Sequence, residues 1–156
     1  MEAGITTIWK AEEEGRMVSF LITNSLEGNS YLQLDYLATL PQEQDKGYGS
    51  KAIHLLKEEA KGYAGIFAEM EKVGLGKNQK ENEIRKRRAK FYQQAGFIEL
   101  PFDLNLYFVV YSAMLLPTTE AEISAEQVKT EIFKIYTAIM GEKATKKRCI
   151  VLEKKN

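Results

Sequence analysis

The sequence predicts a single α/β domain, in which helices flank a mixed and mostly antiparallel sheet. Apolar stretches alternate with turn-forming stretches over the first forty residues, as they do in consecutive β-strands. A strand, a glycine-bearing loop, a helix and a second strand then follow in the order of a right-handed βαβ unit. The chain has 156 residues, 44% of them hydrophobic and 28% charged, which suits one packed core and would cramp a second. We therefore treat residues 1–156 as one domain.

The first two strands are predicted to form a hairpin, and a third strand follows them. Residues 5–10 and 17–23 are β-branched and apolar, and the acidic segment between them ends in Gly15, a residue typical of turns. A third strand is predicted over residues 31–40, because Pro41 cannot continue a sheet ladder.

The βαβ unit begins where that third strand ends. A loop over residues 44–49 is predicted to lead into a helix over residues 50–61, and residues 66–73 form the next strand. The strands on either side of this helix should be parallel neighbours, since a crossover helix joins them.

Two further helices and three further strands complete the expected fold. A charged helix over residues 81–95 is stopped by Gly96, and strands over residues 97–100 and 107–115 flank a turn at residues 101–105. A capped helix follows over residues 124–140, and residues 149–152 form a last edge strand. The apolar stripe of the capped helix consists of Val128, Ile132, Ile135 and Ile139.

Composition excludes several classes of function. Lys and Arg together number 22, as do Asp and Glu, so the chain lacks the cationic excess of a typical nucleic-acid-binding protein. One cysteine and one histidine leave no basis for a metal centre built from these residues. No segment is long and apolar enough to span a bilayer, and the acidic residues 12–14 do not fit a signal peptide, so we expect a cytoplasmic protein without membrane partners.

The loop over residues 44–49 is the feature most informative about chemistry. Gly47 and Gly49 allow a tight turn that exposes backbone amides, and the following helix adds free amides and the positive end of its dipole. Such an arrangement can hold a phosphate or pyrophosphate, although a plain strand-to-helix turn would look the same. The spacing matches neither a P-loop nor the dinucleotide fingerprint.

Two motifs in this region resemble those of the GNAT superfamily of N-acetyltransferases. The first is the strand end Leu37-Ala38-Thr39-Leu40-Pro41 followed by Gln44-x-x-Gly47-x-Gly49, and the second is Tyr92-x-x-x-Gly96-Phe97 at the end of a later helix. The resemblance covers roughly residues 4–116, leaving residues 118–156 as a C-terminal helix and tail.

The resemblance implies acetyl transfer from acetyl-CoA to an amine, and it assigns residues to that task. Tyr92 would protonate the departing thiolate. The residues implied in binding acetyl-CoA are Leu37, Ala38 and Thr39 beside the pantetheine arm, and Gln44, Asp45, Lys46, Gly47, Tyr48, Gly49 and Ser50 around the pyrophosphate. Since Cys149 lies far along the chain from both motifs, we expect direct attack by the amine in a ternary complex, with no metal.

The sequence departs from the family pattern at the general base. Gln33 stands where many members have a glutamate, and an amide cannot accept the proton of the amine. Asp35, Glu69 and Glu71 are the alternative bases, acting through water, unless they are only solvated charges on strand faces. Acidic residues near the cleft favour a cationic acceptor.

A cationic run departs from the pattern on the later helix. Arg85 stands where the family often has an asparagine, and it opens a dense positive run over residues 85–90. This run could attract the phosphates of the coenzyme or nucleic acid, or it could form a solvated helix face balanced by nearby glutamates.

The chain is also expected to lack the N-terminal strand and two helices that help to wall the acceptor site in this family. The C-terminal helix and tail could replace that wall, and the uncovered stripe of the helix or the sheet edge near Cys149 suggests a homodimer. The alternative function is an acyl-CoA-binding regulatory protein with little or no catalysis.

Overall fold

The computed structural model describes residues 5–155, which form one seven-stranded sheet and four α-helices. The strands follow the order β1-β2-β3-β4-β6-β5-β7 across the sheet. Only the β3–β4 pair among them is parallel, so the mixed, mostly antiparallel sheet is confirmed. The elements are β1 (Thr6–Glu13), β2 (Arg16–Asn24), β3 (Tyr31–Thr39), α1 (Tyr48–Glu59), β4 (Gly65–Glu71), α2 (Gln79–Gln94), β5 (Ile98–Leu106), β6 (Val109–Pro117), α3 (Ala125–Met140), α4 (Glu142–Arg148) and β7 (Cys149–Glu153).

The parallel pair separates after a short contact. β3 and β4 are paired only from Tyr31 and Gly65 to Gln33 and Phe67. β3 then bends at a bulge, because Leu34 and Tyr36 pair with consecutive residues of β2 and leave Asp35 as the extra residue. β4 instead stays paired with β6 along its whole length. We call the resulting gap between the two strands, beyond Gln33 and Phe67, the wedge.

Each face of the sheet has its own hydrophobic core. The first core lies between the sheet and the helices α1 and α2, and includes Ile53, Leu56 and Ile66. The second lies beneath α3 and includes Phe67, Phe102 and Leu104. Because neighbouring residues of a strand point to opposite faces, Ile66 and Phe67 of β4 contribute to different cores.

The protein itself covers three of the four residues of the predicted stripe on the C-terminal helix, and Ile139 stays exposed. Ser124 caps α3 by accepting a hydrogen bond from the amide of Gln127, as the sequence indicated. Val128, Ile132 and Ile135 are fully buried in the second core. The expectation that this stripe needs a partner chain was therefore wrong for these three residues.

The turn between β5 and β6 lies elsewhere than predicted. β5 continues through residues 101–105, and the chain reverses at Tyr107 and Phe108. Pro101 lies within an irregularity of the β5–β6 ladder, where the missing amide proton is tolerated. Tyr107 and Phe108 have φ values of 48° and 71°. In two-residue hairpin turns, positions with this conformation are usually occupied by glycine or asparagine.

Helix boundaries differ modestly from the prediction. α1 begins at Tyr48, so Gly49 belongs to its first turn. α2 begins at Gln79, because the side chain of Asn78 accepts a hydrogen bond from the amide of Glu81 and caps the helix. α4 was not predicted, whereas the edge strand β7 was. In the part of the chain described, no helix combines the length and apolarity needed to cross a membrane.

Candidate active site

The loop before α1 presents backbone amides rather than side chains. Gly47 is the N-cap of α1, with a φ of 82°, and it brings no side chain to accept hydrogen bonds from the first turn. A β-carbon at this position would meet no atom within 4 Å, so the space in front of the helix is open. The first amides of α1 are therefore directed at a site that an anion can enter.

The glycine loop and the helix of the later motif meet at the second glycine. A β-carbon on Gly49 would lie 3.2 Å from the ring of Phe91, which immediately precedes the later motif on α2. A residue with a side chain would force the ring of Phe91 to move, whereas glycine lets the first turn of α1 approach α2 this closely. This contact explains why a glycine stands at position 49, where φ itself requires none.

A groove of about 490 Å³ runs along this loop between β3, α1 and α2. Its lining includes eight of the residues assigned to the coenzyme: Leu37, Thr39, Gln44, Asp45, Gly47, Tyr48, Gly49 and Ser50. Ala38 and Lys46 do not line it. The ammonium group of Lys46 lies 3.0 Å from the buried carboxylate of Glu43, which also pairs with Arg16 at 3.3 Å. The side chain of Lys46 is therefore engaged by Glu43.

The other side of the groove comes from α2 and was only partly foreseen. Ile84, Arg87, Arg88 and Phe91 line it, together with Glu43 from the loop. Arg87 and Arg88 belong to the cationic run, and their helical neighbour Lys86 pairs instead with Glu83 at 3.1 Å. The cationic run is thus divided between residues that line the groove and residues on the solvated face of α2. The sequence indicates the groove side through the i, i+3 spacing of Ile84 and Arg87, which places both on one face of the helix.

Arg85 has a different role from the rest of the run. Its guanidinium is buried and donates to the carbonyl oxygen of Lys72 at 2.9 Å. It also pairs with Glu71 at 3.1 Å and with Glu81 at 3.0 Å. Arg85 therefore ties α2 to the end of β4, so neither interpretation of the cationic run, a phosphate or nucleic-acid site or a solvated helix face, describes this residue.

Glu69 is the candidate base that receives the most side-chain hydrogen bonds. It lies on β4 at the wedge, where Gln33 donates to both of its oxygens at 3.2 and 3.1 Å. The phenol of Tyr136, on α3, donates to Oε1 at 3.0 Å. Burial raises the pKa of Glu69 to about 7, and the nearby charge of Asp35 adds to the increase. A base with this pKa is well matched to chemistry near neutral pH.

The other two candidate bases differ from Glu69. Partial burial raises the pKa of Asp35, and the side chain of Asn24 offsets part of that increase. Asp35 is the extra residue of the bulge and lies close enough to influence Glu69 electrostatically. Glu71 is engaged by Arg85, so its negative charge is already neutralised.

Tyr92 packs at the end of α2, next to the groove residue Phe91. Its ring makes edge-on contacts with Phe91 and Phe97, at centroid distances of 5.4 and 5.1 Å. Burial raises the pKa of the phenol, and Arg88 offsets only part of the increase. A nearby arginine alone would lower this pKa below that of a free phenol, but desolvation is the larger effect here. Tyr92 is not among the residues that line the groove.

Comparisons with known proteins agree on one family. A domain model described as "Acetyltransferase (GNAT) domain" matches residues 4–99, which include both motifs and most of the groove. Among the curated proteins that were compared, none has significant sequence similarity to this chain.

Solved structures of acetyltransferases share the fold at low sequence identity. A putative GNAT-family acetyltransferase from Bacteroides thetaiotaomicron has a TM-score of 0.68 and 21% identity, over 90% of this chain and 76% of its own. An aminoglycoside 6'-N-acetyltransferase complexed with coenzyme A has a TM-score of 0.60 and 14% identity, over 76% of each chain. The ribosomal-protein-S18-alanine N-acetyltransferase from Escherichia coli has a TM-score of 0.57 and 20% identity, over 78% of this chain and 74% of its own.

Proposed function

Since this chain belongs to the GNAT family of acetyltransferases, we propose that it moves an acetyl group from acetyl-CoA to a primary amine. The amine attacks the thioester directly in a ternary complex, with no covalent enzyme intermediate. Cys149 supports this route, because its thiol is buried and desolvation raises its pKa to about 12. Such a thiol is a poor nucleophile at neutral pH.

Acetyl-CoA binds with its pyrophosphate on the amides of the loop over residues 44–49. The open space at Gly47 and the uncapped first turn of α1 suit a phosphate group. Arg87 and Arg88 line the same groove and add positive charge beside it. The pantetheine arm then follows the edge of β3, along Leu37, Ala38 and Thr39, into the wedge.

The single observation that carries the proposal is Glu69, held by hydrogen bonds at the wedge with a pKa of about 7. An amine is a cation at neutral pH and must lose a proton before its nitrogen can attack. Glu69 accepts that proton directly or through water, and the neutral nitrogen forms a bond to the carbonyl carbon of the thioester. The carbon–sulfur bond then breaks and Tyr92 donates a proton to the departing thiolate, while the second proton lost by the nitrogen passes through water to restore the phenol. Glu69 thereby supplies the base that Gln33 cannot.

The acceptor is a cationic amine. Asp35 and Glu69 lie at the wedge and place two carboxyl groups there, whereas Glu71 is already paired with Arg85. A small polyamine, an aminoglycoside-like molecule, a peptide N-terminus and a lysine side chain all meet this requirement.

The alternative function is an acyl-CoA-binding regulatory protein without useful catalysis. Gln33, at the position of the usual base, is the observation that favours it. A regulatory protein of this kind would bind acetyl-CoA in the same groove but would acetylate none of the amines in a broad panel.

The test is a turnover screen with acetyl-CoA against such a panel, in the parent protein and in Glu69→Gln. Loss of the base should lower the turnover rate by about 10²–10⁴-fold and leave the affinity for coenzyme A unchanged. Asp35→Asn is the matched control, since it removes a neighbouring negative charge and should have a smaller effect. Coenzyme binding with no turnover on any amine would select the alternative.

A further inference from the structure

The C-terminal helix α3 contributes a side chain to the wedge, which is unexpected for a helix whose main contacts are with the second core. Val128, Ile132 and Ile135 fix α3 against the sheet and are fully buried. The next residue, Tyr136, extends to β4 and donates its phenolic proton to Glu69 at 3.0 Å. The separation of 67 residues between the two partners explains why no local sequence pattern indicated this contact.

Tyr136 belongs to a chain of hydrogen bonds in which every direction is defined. Thr6 donates to Asn24 at 2.7 Å, and Asn24 donates to the amide oxygen of Gln33 at 2.7 Å. The nitrogen of Gln33 must then point the other way, toward Glu69 and the phenolic oxygen of Tyr136. With its oxygen accepting from Gln33, the phenol of Tyr136 has one proton to give, and Glu69 receives it.

We propose that Tyr136 is a positioning residue, which orients the Glu69 carboxylate at the wedge and keeps it ready to accept a proton. The inference rests on the acetyl-transfer function proposed above. In chemical terms, α3 supplies a fixed hydrogen-bond donor, and Gln33 and Tyr136 together hold the carboxylate of Glu69 in place.

The titration of Glu69 is set by groups from every element that packs against it. Asp35 on β3 and desolvation raise the pKa of Glu69, whereas the hydrogen bonds of Gln33 and Tyr136 lower it. Tyr111 on β6 and Cys149 on β7 are also close enough to interact with its charge. Tyr136 itself stays neutral, because burial and the charge of Glu69 raise its pKa far above the ordinary value.

The experiment follows the carboxyl group of Glu69 by NMR in protein labelled with ¹³C-glutamate, in the absence of substrates. Tyr136→Phe removes only the donor, so the titration midpoint of Glu69 should move upward by about one pH unit. Where turnover is measured, the rising limb of the pH profile of kcat/KM should move by the same amount. At a pH equal to the parent midpoint, a shift of that size lowers the ionised fraction by about fivefold.

Tyr31→Phe is the matched control. Its phenol accepts a hydrogen bond from the amide of Ser124 at 3.2 Å, so this variant loosens the beginning of the same helix by the same chemical change. A midpoint that moves in Tyr136→Phe and not in Tyr31→Phe supports the proposal. An equal shift in both variants, or none in Tyr136→Phe, overturns it.

A second substitution covers the case in which Tyr136→Phe does not fold. 3-Fluorotyrosine in place of Tyr136 keeps the shape of the ring and makes the phenol a stronger donor, so the midpoint of Glu69 should fall. An unchanged midpoint contradicts the positioning role. If the titration midpoint of Glu69 shifts as expected but the parent protein shows no turnover, the proposed function is contradicted and the positioning role of Tyr136 stands.

Discussion

The ring of Phe91 on α2 occupies the place that a side chain on Gly49 would need, at 3.2 Å from the position of its β-carbon. The glycine loop, to which we assign the pyrophosphate of acetyl-CoA, and the helix that carries the later motif are thus packed together at one residue. Changes at this contact should affect both the shape of the groove and the stability of the fold.

The first prediction concerns the two glycines of the loop. Gly49→Val should displace Phe91 and weaken the binding of coenzyme A, measured by calorimetry. Gly47→Val should also weaken it, because the left-handed backbone at this position costs a residue with a side chain about 1–2 kcal/mol. Gly62→Val is the control, since a β-carbon there meets nothing within 4 Å and φ is not positive. Parental affinity in either loop variant would mean that the coenzyme binds elsewhere.

The second prediction concerns the arginines of the groove. Arg87→Gln and Arg88→Gln should each reduce the affinity for coenzyme A by about tenfold, since each removes a charged donor. The affinity of the parent should also fall more steeply with added salt than that of either variant. Lys86→Gln, which removes a cation paired with Glu83 outside the groove, should bind like the parent. An equal loss in all three variants would indicate only a general effect of charge.

The third prediction concerns Tyr92. Tyr92→Phe keeps the edge-on packing with Phe91 and Phe97 and removes the proton donor, so turnover should fall by about 10²–10⁴-fold at unchanged coenzyme affinity. Because burial raises the pKa of this phenol, the alkaline decline of the parent should begin above pH ~10. Steady-state kinetics across pH measure both effects. Equal turnover in the two proteins would leave Tyr92 as a packing residue.

The fourth prediction concerns the pH dependence of stability. The pKa of Glu69 is about 7 in the folded protein and near 4.5 without the fold, so the folded state binds this proton more tightly. The stability contributed by the bound proton is fully present below pH 4.5 and is lost as pH rises through about 7. Glu69→Gln has no such loss. The free energy of unfolding of the variant, relative to the parent, should therefore be higher at about pH 8 than at about pH 5.

Urea denaturation at both pH values measures this difference. Glu27→Gln, at an exposed turn residue, is the control and should follow the parent at both. A difference between Glu69→Gln and the parent that is the same at both pH values would contradict the raised pKa.

The fifth prediction concerns assembly. With most of the α3 stripe buried internally, the edge strand β7 is the remaining candidate for a homodimer contact. Ile150 and Leu152 on this strand are 47% and 39% exposed. We expect a dimer at micromolar concentration in light scattering, and a monomer in Ile150→Lys, because edge lysines oppose strand pairing. A monomeric mass for the parent would contradict the prediction.

Local patterns in the sequence were sufficient for most of the fold. The βαβ unit was predictable because Pro41, the two loop glycines and the apolar face of α1 each act within a few residues. The turn at Tyr107 and Phe108 was not predictable, because two aromatic residues are not typical of a turn even though both have positive φ here. Pro101 is typical of a turn and wrongly indicated one. In that region, pairing with β6 and β7 determined the strand.

The candidate site was predictable in part for the same reason. The loop residues belong to one continuous motif, so the groove could be assigned from sequence. The hydrogen bonds from Gln33 and Tyr136 to Glu69 could not be predicted, because they join three elements that are distant along the chain. The structural role of Arg85 could not be predicted either, because its charge is visible in the sequence and its burial is not.

The contact between Gln33 and Tyr136 spans 103 residues, which has a consequence for how the protein acquires its chemistry during folding. Closing so long a segment is slow compared with forming the local helices and hairpins, which need only nearby residues. In refolding experiments the helical circular dichroism signal should therefore recover first, and the ability to deprotonate an amine should recover only after α3 has docked.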